Sequence, residues 1–144
     1  MQNSFKIIVS GLVVNKDGEF LLAQRSELEE VFPGYWAIPG GKVEINGNES
    51  PHDVLESNLQ RELKEELGID VGCFRYLNSH FNYNQDQYKI YICFLGECIS
   101  DAIPQPLEDT IDVRYFSIEK IKDLQLAPNV GELVEIANRH LYTT

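Results

Sequence analysis

The sequence has few basic residues and only three cysteines, and these shortages exclude several classes of protein. Twelve lysines and arginines stand against 23 aspartates and glutamates, which gives a formal net charge of -11 at pH 7. Because nucleic-acid binding is driven by basic side chains that neutralise phosphates, we expect no nucleic-acid polymer as a partner. Cys73, Cys93 and Cys98 contain no CxxC pair, and their odd number argues against a disulfide framework. They indicate reduced thiols in a cytoplasmic protein.

Long apolar runs, internal repeats and linker-like stretches are also missing. The apolar segment at 5–14 is interrupted by Ser10 and Gly11 and is too short to span a bilayer, so no membrane partner is expected. No tract rich in proline, glycine or serine divides the chain. With 144 residues, 43% of them apolar, the chain can bury one core. We therefore expect a single domain over residues 1–144, as a monomer or a homodimer.

Several segments have the composition of β-strands. Residues 5–15 and 19–25 are separated by Asp17-Gly18, a strong signal for a hairpin. Aromatic and β-branched residues predict further strands at 35–39, 88–97 and 112–117. The first of these three stops at a proline and the double glycine Gly40-Gly41, which indicates a tight loop.

The longest helix is predicted at 51–67. Ser50 would be its N-cap, Pro51 its first residue and Asp53 the capping-box partner, and Gly68 would end it.

Two shorter helices are expected towards the end of the chain. One follows Ser117, at 118–124, and the last begins after Asn129. Strands and helices are mixed without strict alternation, which predicts an α+β protein in the form of a mixed α/β/α sandwich rather than a doubly wound parallel sheet.

Acidic residues at the end of the 51–67 helix point to chemistry. At about 100° per residue, four leucines form an apolar stripe facing the core, with Glu62 and Glu66 at or within its edge and Glu65 beside them. Like charges at this spacing repel, and acids in a last helical turn oppose the helix dipole. A bound Mg²⁺ or Mn²⁺ would compensate for both penalties, because hard cations bind several carboxylate oxygens. A solvated acidic face is the alternative.

A metal held by these carboxylates would act on an anionic ligand. Gly40 and Gly41 allow close approach of the backbone before the helix, and a glycine carbonyl could be a further oxygen ligand. If the metal bridges a diphosphate, the expected reaction is attack of an activated water on phosphorus, with a carboxylate near the metal as base.

These segments resemble the Nudix box of the Nudix hydrolase family, which reads Gly, five residues, Glu, seven residues, and then Arg-Glu-U-x-Glu-Glu-x-Gly-U, with U aliphatic. RELKEELGI at 61–69 matches every defined position of the second half, and PGGKVE at 39–44 is similar to the start. The hairpin before GYWAIPGGK and the terminal helix also resemble the family, so the likeness covers most of the chain. It implies a Nudix-like sandwich with a mixed β-sheet and a catalytic loop-helix between the sheet and the outer helices.

The resemblance implies a role for each matched residue. Glu62, Glu65 and Glu66 would bind the metal, and one of them could double as the water-activating base. Arg61 would orient these glutamates as part of the catalytic set, and Gly41 would lend a carbonyl to the metal. In many members an acidic residue outside the box completes the site or serves as base, and the candidates in this sequence are Glu108, Asp109 and Asp112.

Two further residues are candidates for contacts with the substrate. Arg25 resembles a phosphate-contacting arginine of some relatives, although a solvated arginine at the end of a strand is the alternative. Asn129 would touch a nucleobase, as in members that act on nucleoside triphosphates, although a helix-capping role also accounts for it.

The first half of the box departs from the family spacing. Seven residues separate Gly41 from Glu49, and eleven separate Glu49 from Arg61. Gly47 and Asp53 would restore both spacings, with aspartate in place of glutamate. We favour Glu49, since it lies just before the expected helix cap, so that the four added residues would lengthen the helix by about one turn. The contact by which the family's box glutamate steadies its arginine is then in doubt, and Asp53 could substitute for it.

The resemblance implies a divalent-metal-dependent hydrolase that splits a diphosphate linkage in a nucleoside diphosphate joined to another group. A nucleoside triphosphate is the preferred substrate, as in the MutT-like pyrophosphohydrolases of the family. One alternative is a sugar-nucleotide hydrolase of the GDP-mannose type. The other is a non-catalytic nucleotide-binding sensor domain, but such domains usually lose box glutamates, and this sequence keeps Glu62, Glu65 and Glu66.

Overall fold

A computed structural model describes residues 4–84, 87–99 and 101–142 of the chain. In this part of the chain seven strands and three helices follow one another in the order β1 (Ser4–Val14), β2 (Phe20–Arg25), β3 (Trp36–Ala37), β4 (Gly40–Lys42), α1 (Val54–Leu67), β5 (Val71–Asn84), β6 (Gln87–Cys98), β7 (Thr110–Phe116), α2 (Ile118–Ile121) and α3 (Val130–Tyr142). None of these helices combines the length and the apolar character that crossing a bilayer requires.

The strands form one mixed sheet. Its strand order is β3-β2-β1-β6-β5, with β4 paired to β1 and β7 paired to β2. β1 and β6 run parallel, and the other pairs are antiparallel. The sheet confirms the expected mixed α+β class. The predicted turn at Asp17-Gly18 does connect β1 to β2, where Gly18 takes the left-handed backbone conformation that the turn requires (φ 76°).

Both faces of the sheet are covered by helices, which gives the expected α/β/α sandwich. Because side chains alternate along a strand, β1 sends Val9 and Val13 to one face and Leu12 and Val14 to the other. The first pair packs with α1, and the second packs with α2 and α3. The box helix α1 therefore lies across the sheet from α2 and α3 rather than between them and the sheet.

The start of α1 differs from the prediction. The helix begins at Val54, not at Pro51. The Ser50 hydroxyl accepts a hydrogen bond from the backbone N of His52 at 3.2 Å, and this local turn competes with a helical start. Asp53 lies just before the helix in a left-handed conformation (φ 54°), and its side chain forms no capping hydrogen bond. The residues added to the box therefore lengthen the loop before α1, not the helix.

Strand β5 has no counterpart among the predicted strands. Its pairing with β6 shifts register between Gly72 and Arg75 and again between Tyr76 and Asn78, and Cys73 takes φ 54° at the first shift. Each bulge interrupts the alternation of inward and outward side chains, so the period of two that reveals a strand is broken.

The remaining predictions are close to the structure. Of the predicted strand 35–39 only Trp36–Ala37 forms a strand, β3, and a second short strand, β4, begins at Gly40, where a tight loop was expected. Pro39 separates the two, since it has no backbone N–H to donate to a ladder. The other four predicted strands agree with β1, β2, β6 and β7 to within two residues at each end. α2 is shorter than 118–124 but begins at the predicted Ser117 cap, whose hydroxyl accepts from the backbone N of Lys120 at 3.2 Å. α3 begins directly after Asn129, as predicted.

Candidate active site

The leucine stripe of α1 fixes the direction of two of the box glutamates. Leu59, Leu63 and Leu67 are fully buried against the sheet. Glu62 and Glu66, one helical turn apart, consequently face inwards, and the side chain of Glu62 is only 15% exposed.

The backbone of β4 closes one side of Glu62. A Cβ added to Gly41 would lie 2.6 Å from the carboxyl carbon of Glu62, so only glycine lets the strand pass this close to the carboxylate. The structure thus brings Gly41 beside Glu62, as the box resemblance implied.

Glu62 and Glu66 share a hydrogen bond between their carboxyl groups. Burial raises the pKa of Glu66 to about 8, with further contributions from the charges of Glu62 and Glu108. Burial also raises the pKa of Glu62, although the nearby Arg61 guanidinium opposes that rise. Near neutral pH, Glu66 is therefore mostly protonated, and its carboxyl group donates a hydrogen bond to Glu62. A hard divalent cation could replace this shared proton and bind oxygen atoms of both sheltered carboxyl groups.

Glu65 points away from this pair. Its side chain is 48% exposed, and its Oε2 lies 3.4 Å from Nη1 of Arg61. Nη2 of the same arginine lies 3.5 Å from Oε1 of Glu62. Arg61 thus bridges two of the glutamates it was expected to orient. Among the described residues, no three acidic, histidine or cysteine side chains converge closely enough to enclose a metal ion. The structure brings together Glu62 and Glu66, and it connects Glu65 to Glu62 only through Arg61.

The loop before β7 is attached to the end of α1. The backbone N of Leu107 donates to the carbonyl of Glu66 at 3.0 Å, and that of Gln105 donates to the carbonyl of Leu67 at 2.9 Å. These bonds satisfy carbonyls that a helix end otherwise leaves without partners. They also place the following residue, Glu108, near enough for its charge to raise the pKa of both Glu62 and Glu66.

The three acidic candidates outside the box are not equivalent. Glu108 and Asp109 line the same pocket as Glu66. Asp112 does not line this pocket, and its Oδ2 accepts from Nε of Arg114 at 2.8 Å. The structure therefore favours Glu108, since it is the one whose charge acts on the carboxyl pair.

Arg25 lies in the wall of the same pocket, which also includes Gln24, Pro39 and Gly40. Its Nε donates to the carbonyl of Val31 at 2.9 Å, and its Nη2 lies 3.4 Å from Oε2 of Glu29. The arginine supplies a positive charge in a pocket with acidic walls.

Asn129 directly precedes α3 and contacts a residue of β5. Its Nδ2 is 3.2 Å from Nε2 of His80, and its backbone takes a left-handed conformation (φ 73°). The His80 ring stacks on Tyr91, with centroids 4.8 Å apart and an interplanar angle of 5°. No pattern in the sequence points to His80, because no metal-ligand spacing includes it and its strand, β5, was not predicted.

The two residues expected to steady Arg61 do not contact it. The Glu49 carboxylate instead accepts hydrogen bonds from the backbone N of Asn46 at 2.9 Å and of Gly47 at 3.3 Å, and the first of these bonds is the main cause that lowers its pKa. Asp53 is exposed. With the extra residues in the loop, neither carboxylate forms an ion pair with the arginine, although the charge of Arg61 makes a minor contribution to the lowered pKa of Glu49.

Asn58, which is not one of the defined box positions, contacts Arg61 instead. Oδ1 of Asn58 accepts a hydrogen bond from Nη2 of Arg61 at 3.1 Å. Asn58 is only 3% exposed and is the buried polar residue of the α1 interface. Its signal in the sequence is a polar side chain next to the leucine stripe, three residues before the arginine.

Comparison with known proteins agrees with this geometry. The sequence profile of the NUDIX domain family matches residues 4–135. The nucleoside triphosphatase NudI of Salmonella typhimurium (strain LT2) is 35% identical over 106 residues, which are 66% of this chain and 69% of that protein. The MutT protein from Methanosarcina mazei Go1 is similar in structure over 99% of both chains, with a TM-score of 0.76 and 28% identity. The NUDIX domain of Shewanella oneidensis NrtR, solved with ADP ribose, has a TM-score of 0.79 over 98% of this chain and 90% of its own, but at 22% identity it shows the shared fold alone.

Proposed function

The chain belongs to the NUDIX domain family and is a hydrolase acting on phosphoric anhydrides, and from this premise we propose that it hydrolyses nucleoside triphosphates with a divalent cation bound at α1. The observation that carries the proposal is the sheltered, proton-sharing pair of Glu62 and Glu66 beside the backbone of Gly41. Such a pair is costly in a metal-free fold and is suited to holding a cation.

Nudix hydrolases generally use divalent metals. Glu62 and Glu66 would hold Mg²⁺ or Mn²⁺, with the carbonyl of Gly41 and the carboxylate of Glu65 as further oxygen ligands. When bound, the cation would stabilise negative charge on the phosphate oxygens and acidify a water. Arg61 would keep two of these glutamates in place through its contacts with Glu62 and Glu65.

Glu108 is the proposed general base. It lies beside the carboxyl pair on a loop fixed by backbone hydrogen bonds to α1, and it has no ion-pair partner among the described residues. A carboxylate in that position can accept the proton of a water as its oxygen attacks phosphorus and the anhydride P–O bond breaks. Asp109 lies in the same pocket and is the second candidate.

Arg25 and Asn129 are the proposed substrate contacts. Arg25 would bind a phosphate of the substrate from the pocket wall. Asn129, held by His80, would form hydrogen bonds with the nucleobase of the substrate. The stacked rings of His80 and Tyr91 offer a flat surface beside Asn129. The similarity to a nucleoside triphosphatase favours triphosphates over sugar nucleotides.

A substrate panel tests the proposed function. The purified protein with Mg²⁺ should convert nucleoside triphosphates to monophosphates and pyrophosphate, and removal of the cation with EDTA should stop the reaction. GDP-mannose and ADP-ribose are the comparison substrates. Faster turnover of GDP-mannose would make the sugar-nucleotide alternative correct. Calorimetric binding of a nucleotide without any turnover would make the protein a sensor.

Replacing Glu108 by glutamine should lower kcat by about 10²-fold or more, because the water then lacks its proton acceptor. D109N and D112N are matched controls, since each removes one nearby carboxylate without touching the pair. We expect D112N to behave as the wild type, because Asp112 is already paired with Arg114. Steady-state kinetics of the three variants would assign the base to Asp109 instead if D109N alone showed the large loss.

A further inference from the structure

Asn58 makes three hydrogen bonds with the two polar atoms of its side chain. Its Oδ1 accepts from the backbone N of Glu44 at 2.9 Å and from Nη2 of Arg61 at 3.1 Å. Its Nδ2 donates to the carbonyl of Val54 at 3.0 Å. Because the residue is 3% exposed, these bonds face little competition from water.

Two of the three bonds stay within α1, and the third joins the helix to the backbone that follows β4. Glu44 follows the glycines of β4, one of which packs on Glu62. Val54 is the first residue of α1, and Arg61 contacts Glu62 and Glu65. One amide therefore fixes the arginine side chain and the loop backbone relative to each other.

The loop of this chain makes such a connection necessary. The residues added to the box lie between β4 and α1, and the carboxylate of Glu49 is occupied with the backbone of Asn46 and Gly47. Arg61 is 40% exposed, and without Asn58 its described contacts would be two long ion pairs with glutamates of its own helix. Ion pairs of that kind hold a side chain only weakly.

We propose that Asn58 is a positioning residue of this active site, which fixes Arg61 against Glu62 and ties the glycine-containing strand β4 to α1. The proposal rests on the proposed function, since it is the arrangement of that site which Asn58 maintains. An amide suits the task because one side chain supplies two acceptor positions and a donor. Aspartate keeps the acceptors and loses the donor, and alanine loses both.

The test compares N58A with N58D and with a matched control on the same helix, Q60A. Gln60 also ties α1 to a neighbouring backbone, through Val71, but does not contact Arg61. We expect N58A to weaken Mn²⁺ binding, measured by calorimetry, by roughly tenfold. We expect it also to lower kcat by roughly tenfold and to leave the KM for nucleotide unchanged. N58D should recover most of both losses, and Q60A should stay near the wild type.

Amide hydrogen exchange provides a readout that needs neither metal nor substrate. In N58A the backbone N–H of Glu44 should exchange faster, while in N58D and Q60A it should remain protected, because both keep the acceptor. If N58A does not fold, N58S takes its place, since a serine hydroxyl is too short to reach both Glu44 and Arg61.

Three results would overturn the inference: protection of the Glu44 amide in N58A, equal losses in N58A and Q60A, or a change confined to KM. A protein that hydrolyses no nucleotide would refute the proposed function, but the exchange and Mn²⁺ measurements would still decide whether Asn58 organises the site.

Discussion

Replacing Glu66 by glutamine is expected to lower kcat by about 10³-fold and to leave the fold intact. Glutamine has nearly the same shape, and its amide can donate to Glu62 as the protonated carboxyl of Glu66 does. It cannot, however, supply a negative oxygen to a cation, and a metal is worth several kcal/mol of transition-state stabilisation. Kinetics with Mg²⁺ and calorimetric titration with Mn²⁺ measure the two consequences separately.

The control for this variant is E56Q, which also removes one acid from α1. Glu56 lies in the first turn of the helix, about three turns before Glu66. E56Q should bind Mn²⁺ and turn over substrate as the wild type does. If E66Q retained wild-type kcat, the buried carboxyl pair would not be the catalytic centre.

The directions of Glu62 and Glu66 were predictable because a helix with four leucines on one stripe has only one way to lie on a sheet. Spacing of 3.6 residues per turn then decides which acids are sheltered. Glu65 was not predictable in the same way. Its backbone is placed by the same periodicity, but its side chain is 48% exposed, and its ion pair with Arg61 selects the direction in which it points.

The start of α1 shows where local signals mislead. Ser50 followed by a proline and, at 53, an acid has the spacing of a helix cap, yet the serine hydroxyl bonds only two residues ahead. A turn and a capped helix use the same residue types, and the choice between them depends on how the preceding loop meets the sheet. The expectation that Glu49 or Asp53 would steady Arg61 was wrong for the same reason, since it depended on a helix beginning at Pro51.

Glu108 and Asn58 depend on contacts that no local pattern records. Glu108 reaches the site because backbone bonds join its loop to the end of α1, more than forty residues earlier in the chain. Asn58 acquires its role because its side chain bonds the backbone of Glu44 across the loop. Long-range hydrogen bonds of this kind become visible only once the elements have been packed.

Without metal, the protein is expected to become less stable as pH rises from about 5 to about 8. Glu66 has a pKa of about 8 in the folded state and an ordinary value of 4.5 when unfolded. Between these values the folded state holds a proton that the unfolded state has lost, so the free energy of unfolding falls with rising pH and levels off above 8. Because Glu66 is only half-buried, solvent screening reduces the effect, and we expect about 1–2 kcal/mol, or a fall in Tm of about 3–6 °C.

Thermal unfolding at pH 6 and pH 8.5 in EDTA measures this slope. Glu49 and Cys93 do not account for it, since the lowered pKa of Glu49 acts below pH 4.5 and the pKa of Cys93, raised to about 11, acts above pH 9. E66Q should flatten the slope, apart from the smaller contribution of Glu62, whose pKa is also raised. Added Mn²⁺ should reverse it, because a cation competes with the shared proton and stabilises the folded state more at pH 8.5 than at pH 6. A metal-free Tm that rises over this range would show that the two carboxyl groups are not coupled as the structure indicates.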